Sequence, residues 1–208
     1  MLVIIHGNIK TMEEYDYADG YIRIEHGKIA ALGDMKDCSL AELQGDDKVQ
    51  LLDAKGNLVM PGIIEAHCHM GITEEKKGME GDDCNENVDP VTPYLRAVDA
   101  VNPMDDAFHD ALKAGITSAM IGPGSSNVVG GQFAVFKTHG RCIDQMIVKA
   151  PAAMKVAFGE NPKVNYSGQG ISPVTRMSIA AKLREELASA REYERKIHEN
   201  PETTPEYR

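Results

Sequence analysis

Residues 58–71 read Leu58-Val59-Met60-Pro61-Gly62-Ile63-Ile64-Glu65-Ala66-His67-Cys68-His69-Met70-Gly71, and this stretch decides how the rest of the chain is understood. A short apolar run leaves a Pro-Gly turn and ends in polar side chains, the pattern of a buried strand with chemistry at its exit. Alternate residues of a strand share a face, so His67 and His69 are expected to point the same way and Cys68 the other. Two neighbouring neutral imidazoles can close on one divalent metal. A chance pair of hydrogen-bonded histidines would look the same in isolation; the Pro61-Gly62 turn before it and Gly71 after it favour a built site.

Composition narrows the field around this motif. The chain has 208 residues, 42% of them hydrophobic, enough to bury a substantial core. A formal charge of −10 without a dense Lys/Arg run argues against nucleic acid, whose binding rests on neutralising phosphates. No stretch reaches the roughly 18 apolar residues that suggest a membrane span. The N-terminus, Met1-Leu2-Val3-Ile4-Ile5-His6, lacks the basic leader and long apolar region of a secretory signal, so a cytoplasmic location is expected. Cys38, Cys68, Cys84 and Cys142 form no Cys-x-x-Cys pair and are expected as reduced thiols.

Upstream, residues 2–5, 21–24, 28–32 and 49–52 are short strand candidates separated by turn signals. Glu25-His26-Gly27-Lys28 is a tight hairpin candidate, and both His6 and His26 stand beside a glycine as expected surface turn residues. Downstream, residues 72–93 form a long irregular stretch rich in Gly, Asp, Glu and Asn. An EF-hand reading from Asp83 fails because Val88 replaces the turn glycine and Tyr94 the closing glutamate. A helix is expected after Asn102 as its cap, with Pro103 in its first turn, Asp105 and Asp106 complementing its dipole, His109 exposed and Gly115 at its end. Residues 116–121 are a further strand candidate, followed by Gly122-Pro123-Gly124-Ser125-Ser126-Asn127-Val128-Val129-Gly130-Gly131-Gln132. This loop lacks the Gly-Lys-Ser/Thr of a phosphate-binding P-loop, so it reads as a close-approach loop lining a substrate cavity, with Ser125, Asn127 and Gln132 as candidate substrate contacts. Short strands are expected at 133–138 and 153–158, and helical spacing of Ile179, Leu183, Leu187 and Ala190 predicts a helix over about 175–198.

The Pro61-Gly62 turn leading into His67-x-His69, together with Lys113-Ala114-Gly115-Ile116-Thr117-Ser118 and Phe158-Gly159-Glu160-Asn161-Pro162-Lys163, resembles the amidohydrolase superfamily of metal-dependent hydrolases, in its imidazolonepropionase-like subgroup. The resemblance implies an α/β fold: a small β-sandwich-type domain, incomplete, over 1–57, and the first part of a (β/α)8 TIM-like barrel over 58–208. A barrel alone takes about 250 residues, so only its N-terminal half is expected here. It also implies a divalent metal, zinc foremost, a small-molecule substrate with an amide or cyclic-amide C–N bond, and metal ligands His67 and His69. Glu160, at an expected strand exit, is chosen as the third ligand. Lys155 competes with it, because many members hold metal through a carbamylated lysine. The family's aspartate base, which lies on a later strand, has no counterpart here, so little turnover by the chain alone is expected. The partner expectations are a homo-oligomer or a second half of the barrel, with a non-catalytic metal-binding or scaffold half-barrel as the alternative. An unpaired sheet edge predicts self-association or poor solubility of the isolated chain.

Overall fold

The computed structural model describes residues 1–39, 41 and 47–200. Its contacts divide the chain into two compact units, Met1–Gly62 and Ile63–Arg208.

The first unit is one mixed sheet. It is built from β1 (Leu2–Ile9), β2 (Tyr17–Glu25), β3 (Lys28–Asp34), β4 (Gln50–Asp53) and β5 (Leu58–Val59). The order is β3-β2-β1-β4, with β5 also on β1. Alternate residues of β1 turn inward, and Val3, Ile5 and Ile9 are buried with Ile22 of β2. The expected sandwich is a single five-stranded sheet among the described residues. The β2–β3 hairpin turns on His26 (φ 50°) and Gly27 (φ 74°), and positive φ at both central residues is the type I′ geometry that matches strand twist. His6, expected in a turn, instead lies inside β1 at a shift in register and pairs with Asp19 at 3.0 Å. Its positive φ (52°) is that of a local bulge. β5 belongs to this sheet, so the unit runs to Gly62 and not to residue 57.

The second unit begins with β6 (Ile63–Cys68) and continues through the short α1 (Ala97–Ala100), α2 (Asp106–Lys113), β7 (Ile116–Ile121), β8 (Val129–Lys137), α3 (Ile143–Met146), β9 (Ile147–Val156), α4 (Glu160–Gly168) and α5 (Arg176–Glu199). The sheet order is β6-β7-β8-β9. β6 and β7 are parallel, joined by a crossover that carries α1 and α2. β7–β8 and β8–β9 are antiparallel. The unbroken alternation of parallel strands and helices expected of a barrel's front half is therefore present only for the first crossover. The physical reason is link length, since a parallel return needs a dozen or more residues while the loop between Ile121 and Val129 suits only an antiparallel one.

Ile72, Val101, Phe108, Ala119, Ile121, Ala134, Phe136 and Met146 form the main core. Val128, Val129 and Ile179 form a second cluster beneath α5. The cap of α2 is Asp105, not Asn102. Asp105 is 6% exposed and accepts from the backbone N–H groups of Gly71, Glu75 and Ala107. Asn102 stands one turn earlier, accepting from Met104 N–H and donating to Glu74. One carboxylate thus satisfies the helix start and anchors the chain just after the two histidines. Gly71 (φ 73°) is required there, because a Cβ would lie 2.8 Å from the Phe108 ring. His109 is exposed, as expected. α5 ends at Glu199 with Asn200 as its C-cap. No helix among the described residues is long and apolar enough to cross a membrane.

Candidate functional site

The two imidazoles meet where the motif predicts. His67 is the penultimate residue of β6 and His69 follows its last, with ring centroids 5.3 Å apart and planes at 84°. Two imidazoles on one tetrahedral ion, with metal–nitrogen bonds of about 2.1 Å, place their ring centres about 5 Å apart, so the spacing fits a shared ion. Cys68 turns to the opposite side, where it packs against the main core and its Sγ lies 3.8 Å from Met120 O. Burial pushes that thiol's pKa up, the property of an inert packed cysteine.

Both rings are conditioned by their neighbours. His69 Nδ1 is 2.7 Å from the carbonyl oxygen of Gly122. A carbonyl can only accept, so Nδ1 carries the proton and Nε2 keeps its lone pair, the arrangement that metal-ligating histidines use. His67 is exposed on one side and packs against the Phe133 ring on the other, centroids 5.2 Å apart. Partial desolvation, then the charges of Lys155 and His69, hold its pKa below the ordinary histidine value, against a smaller opposing pull from Glu65. A depressed pKa favours the neutral imidazole that a metal requires.

The glycine-rich loop supports these rings. Gly122 lies in a backbone region open to any residue, yet a Cβ there would fall 2.3 Å from Phe133 Cδ1. Glycine lets the ring sit against the loop while the Gly122 carbonyl holds His69. Gly124 serves the same purpose for Asn85, whose Oδ1 accepts from Ser126 N–H. The close approach expected of this loop is thus made by the protein's own side chains. Both supports lie just beyond the carboxyl ends of parallel β6 and β7, where open α/β sheets bind ligands.

The other candidates are dispersed. Glu160 is the first residue of α4, exposed, and capped by Gly159. The expected strand exit is absent because β9 stops at Val156, and Pro162 sits in the first helical turn, where its missing N–H is harmless. Among the described residues no three His, Cys, Asp or Glu side chains come together as a metal-holding group, so Glu160 is not gathered with His67 and His69. Lys155 lies nearer, on β9: it is 9% exposed, its Nζ stands 5.9 Å from the centre of the Phe133 ring that packs on His67, and its charge is felt by His67. Asn127 is 2% exposed, donating to Thr92 Oγ1 at 2.8 Å and accepting from Tyr166 O–H at 2.5 Å. Gln132 lies within β8 and donates to Pro93 O, while Ser125 is half-buried in the loop. The long segment after the motif supplies Asp82, Asp83, Cys84, Asn85 and Glu86 to one wall of a cavity of about 440 Å³, which Gly130 also lines. Phe133 and Cys84 were not legible as site residues, because only the register of β8 and the course of an irregular loop bring them there.

Fold and site together define an α/β protein with paired imidazoles at the carboxyl ends of parallel strands. No family model matches the chain. It is 30% identical over 177 residues to the amidohydrolase tasK of Hapsidospora irregularis, covering 79% of this chain and 18% of that protein. It is 30% identical over 109 residues to the imidazolonepropionase of Halobacterium salinarum, covering 50% of this chain and 25% of the relative. The crystal structure of an amidohydrolase from Thermotoga maritima MSB8 superposes with a TM-score of 0.88 at 34% identity, covering all of this chain and 52% of that one. The chain thus spans about half of the solved relative and a smaller share of the curated ones. It belongs to the amidohydrolase superfamily, which it matches over part of those proteins' length.

Proposed function

We propose that this chain carries the paired-histidine part of the metal centre of a hydrolase acting on an amide or cyclic-amide C–N bond, with zinc foremost among divalent ions. The observation that carries the reading is His69, whose Nδ1–H is held by Gly122 O so that Nε2 is free beside the His67 ring. A bound ion of this kind supplies a Lewis acid and lowers the pKa of a bound water to about 7. The chain's own part is to keep His67 neutral, to hold His69 in one tautomer, and to wall the site with Phe133. Ser125 and Gln132 border the same loop and strand and are proposed to contact substrate, with Asn127 holding the loop in place. Glu160 completes the ligand set in this reading only by movement of the α4 N-terminus, and a carbamylated Lys155 is its competitor. Turnover by the chain alone is proposed to be low.

A second reading, a metal-binding half-barrel that pairs with another chain, is supported by the edge strand β6, which leaves Ile63 and Ile64 48% and 68% exposed. The deciding experiment is metal analysis by mass spectrometry on protein purified without chelator, comparing wild type, His67→Ala/His69→Ala and Glu160→Gln. The expected result is close to one ion per chain in wild type and none in the double variant. A fall in Glu160→Gln assigns that carboxylate as a ligand. A wild type without metal refutes the reading.

A further inference from the structure

We propose that Lys155 is an anion-binding residue of this site, so that the molecule taken beside His67 carries a carboxylate close to its C–N bond. The inference rests on the hydrolase reading for the bond and on geometry for the anion. Lys155 is more than nine-tenths buried, and room is made for it: a Cβ at Gly130 would lie 3.2 Å from Lys155 Cγ, tighter than ordinary contact. Among the described residues its ammonium has neither a hydrogen-bond nor an ion-pair partner. Around it are the Phe133 ring, the buried Cys84 thiol and, near enough to feel its charge, His67.

It is the stem that is buried; Nζ itself still meets solvent, so the ammonium stands over the ring face with an open side on which an anion can seat. The rest of the molecule shows that the chain has carboxylates to offer. Lys10, Lys36, Lys76, Lys113, Arg96 and Arg195 all sit in ion pairs at the exposed surface. In a chain of net charge −10, the buried lysine beside the paired imidazoles is left without one. A single ammonium matches a monoanion, and Glu65 beneath His67 disfavours a doubly charged phosphate. A carboxylate seated against Nζ would receive two or three charge-assisted N–H donors and would orient the adjoining C–N bond toward the His67 and His69 side.

The test compares N-acetyl-L-alanine with N-acetyl-L-alaninamide, which share the amide bond and differ in the anionic charge. Binding to the full chain is followed by ligand-observed NMR, on protein as purified and again after metal is stripped, so that a carboxylate–metal contact cannot mimic the result. The carboxylate is expected to bind at least tenfold tighter in both forms, with the preference lost in Lys155→Met and in Lys155→Gln and kept in Lys155→Arg. No discrimination by wild type, or an unchanged preference in either neutral variant with native circular dichroism, overturns the proposal. Tighter binding of inorganic phosphate, or a bicarbonate-dependent carbamate signal on Lys155 in ¹³C spectra, overturns it as well. Metal content reads the histidines and ligand preference reads Lys155, so the two proposals fail separately.

Discussion

Replacing Gly122 by alanine adds one methyl group at the point where loop, aromatic wall and histidine meet. The added Cβ would lie 2.3, 2.4 and 2.6 Å from Phe133 Cδ1, Cγ and Cε1, far inside contact distance. Backbone strain plays no part, since the φ of Gly122 suits any residue, so the cost is overpacking alone. Phe133 is 3% exposed and cannot swing into solvent, and its strand is paired on both sides. The neighbourhood must therefore shift, at about 1–3 kcal/mol. The shift acts on the Gly122 carbonyl, which holds His69 Nδ1 at 2.7 Å. Loss of such an outer partner lowers metal affinity about 10–100-fold. Urea denaturation and competitive zinc titration of Gly122→Ala, Phe133→Leu and the double variant measure both effects. The smaller leucine relieves the clash, so the double variant should lose less stability than the sum of the single losses, with a coupling of about 0.5–3 kcal/mol. Strict additivity, or a Gly122→Ala variant with wild-type stability and zinc affinity, would refute the argument.

Further outcomes follow from the packing around the site. Tyr166→Phe leaves Asn127 Oδ1 buried without its donor, at a cost of about 1–3 kcal/mol read by denaturation at pH 7. Burial, then the charge of Asp89, pushes the Tyr166 pKa up to about 12 from an ordinary 10.0. Its contribution is therefore fully present below pH 10 and lost as pH rises toward 12, by at most about 2–3 kcal/mol, a slope that Tyr166→Phe should lack in alkaline unfolding curves. Asp105→Ala removes an acceptor from three backbone N–H groups and should destabilise by about 2–4 kcal/mol; a change in melting temperature within error would show that water replaces the carboxylate. Light scattering on concentrated protein should report self-association through exposed strand edges, and a monodisperse monomer would count against it.

What could be read from the sequence was local. A strand repeats every two residues, so His67 and His69 had to share a face and Cys68 had to leave it. The same short-range logic located the His26-Gly27 hairpin, the strand at Ile116–Ile121 and the long α5, whose apolar residues recur at helical spacing. The local signals misled where two structures satisfy the same residues. Asn102 and Asp105 are both capable caps, and burial against Gly71 and Glu75 selects Asp105. Pro162 marks a break inside a helix yet is at home in a first turn, which puts Glu160 on α4 instead of at a strand exit. The surroundings of the two imidazoles were the part that only tertiary structure decided. The Gly122 carbonyl, the Phe133 ring and the Lys155 ammonium come from separate segments of the chain, and their meeting depends on the registers of β7, β8 and β9. Those registers are set by core packing and by links too short for a parallel return, constraints that act between strands and leave no periodic mark along any one of them.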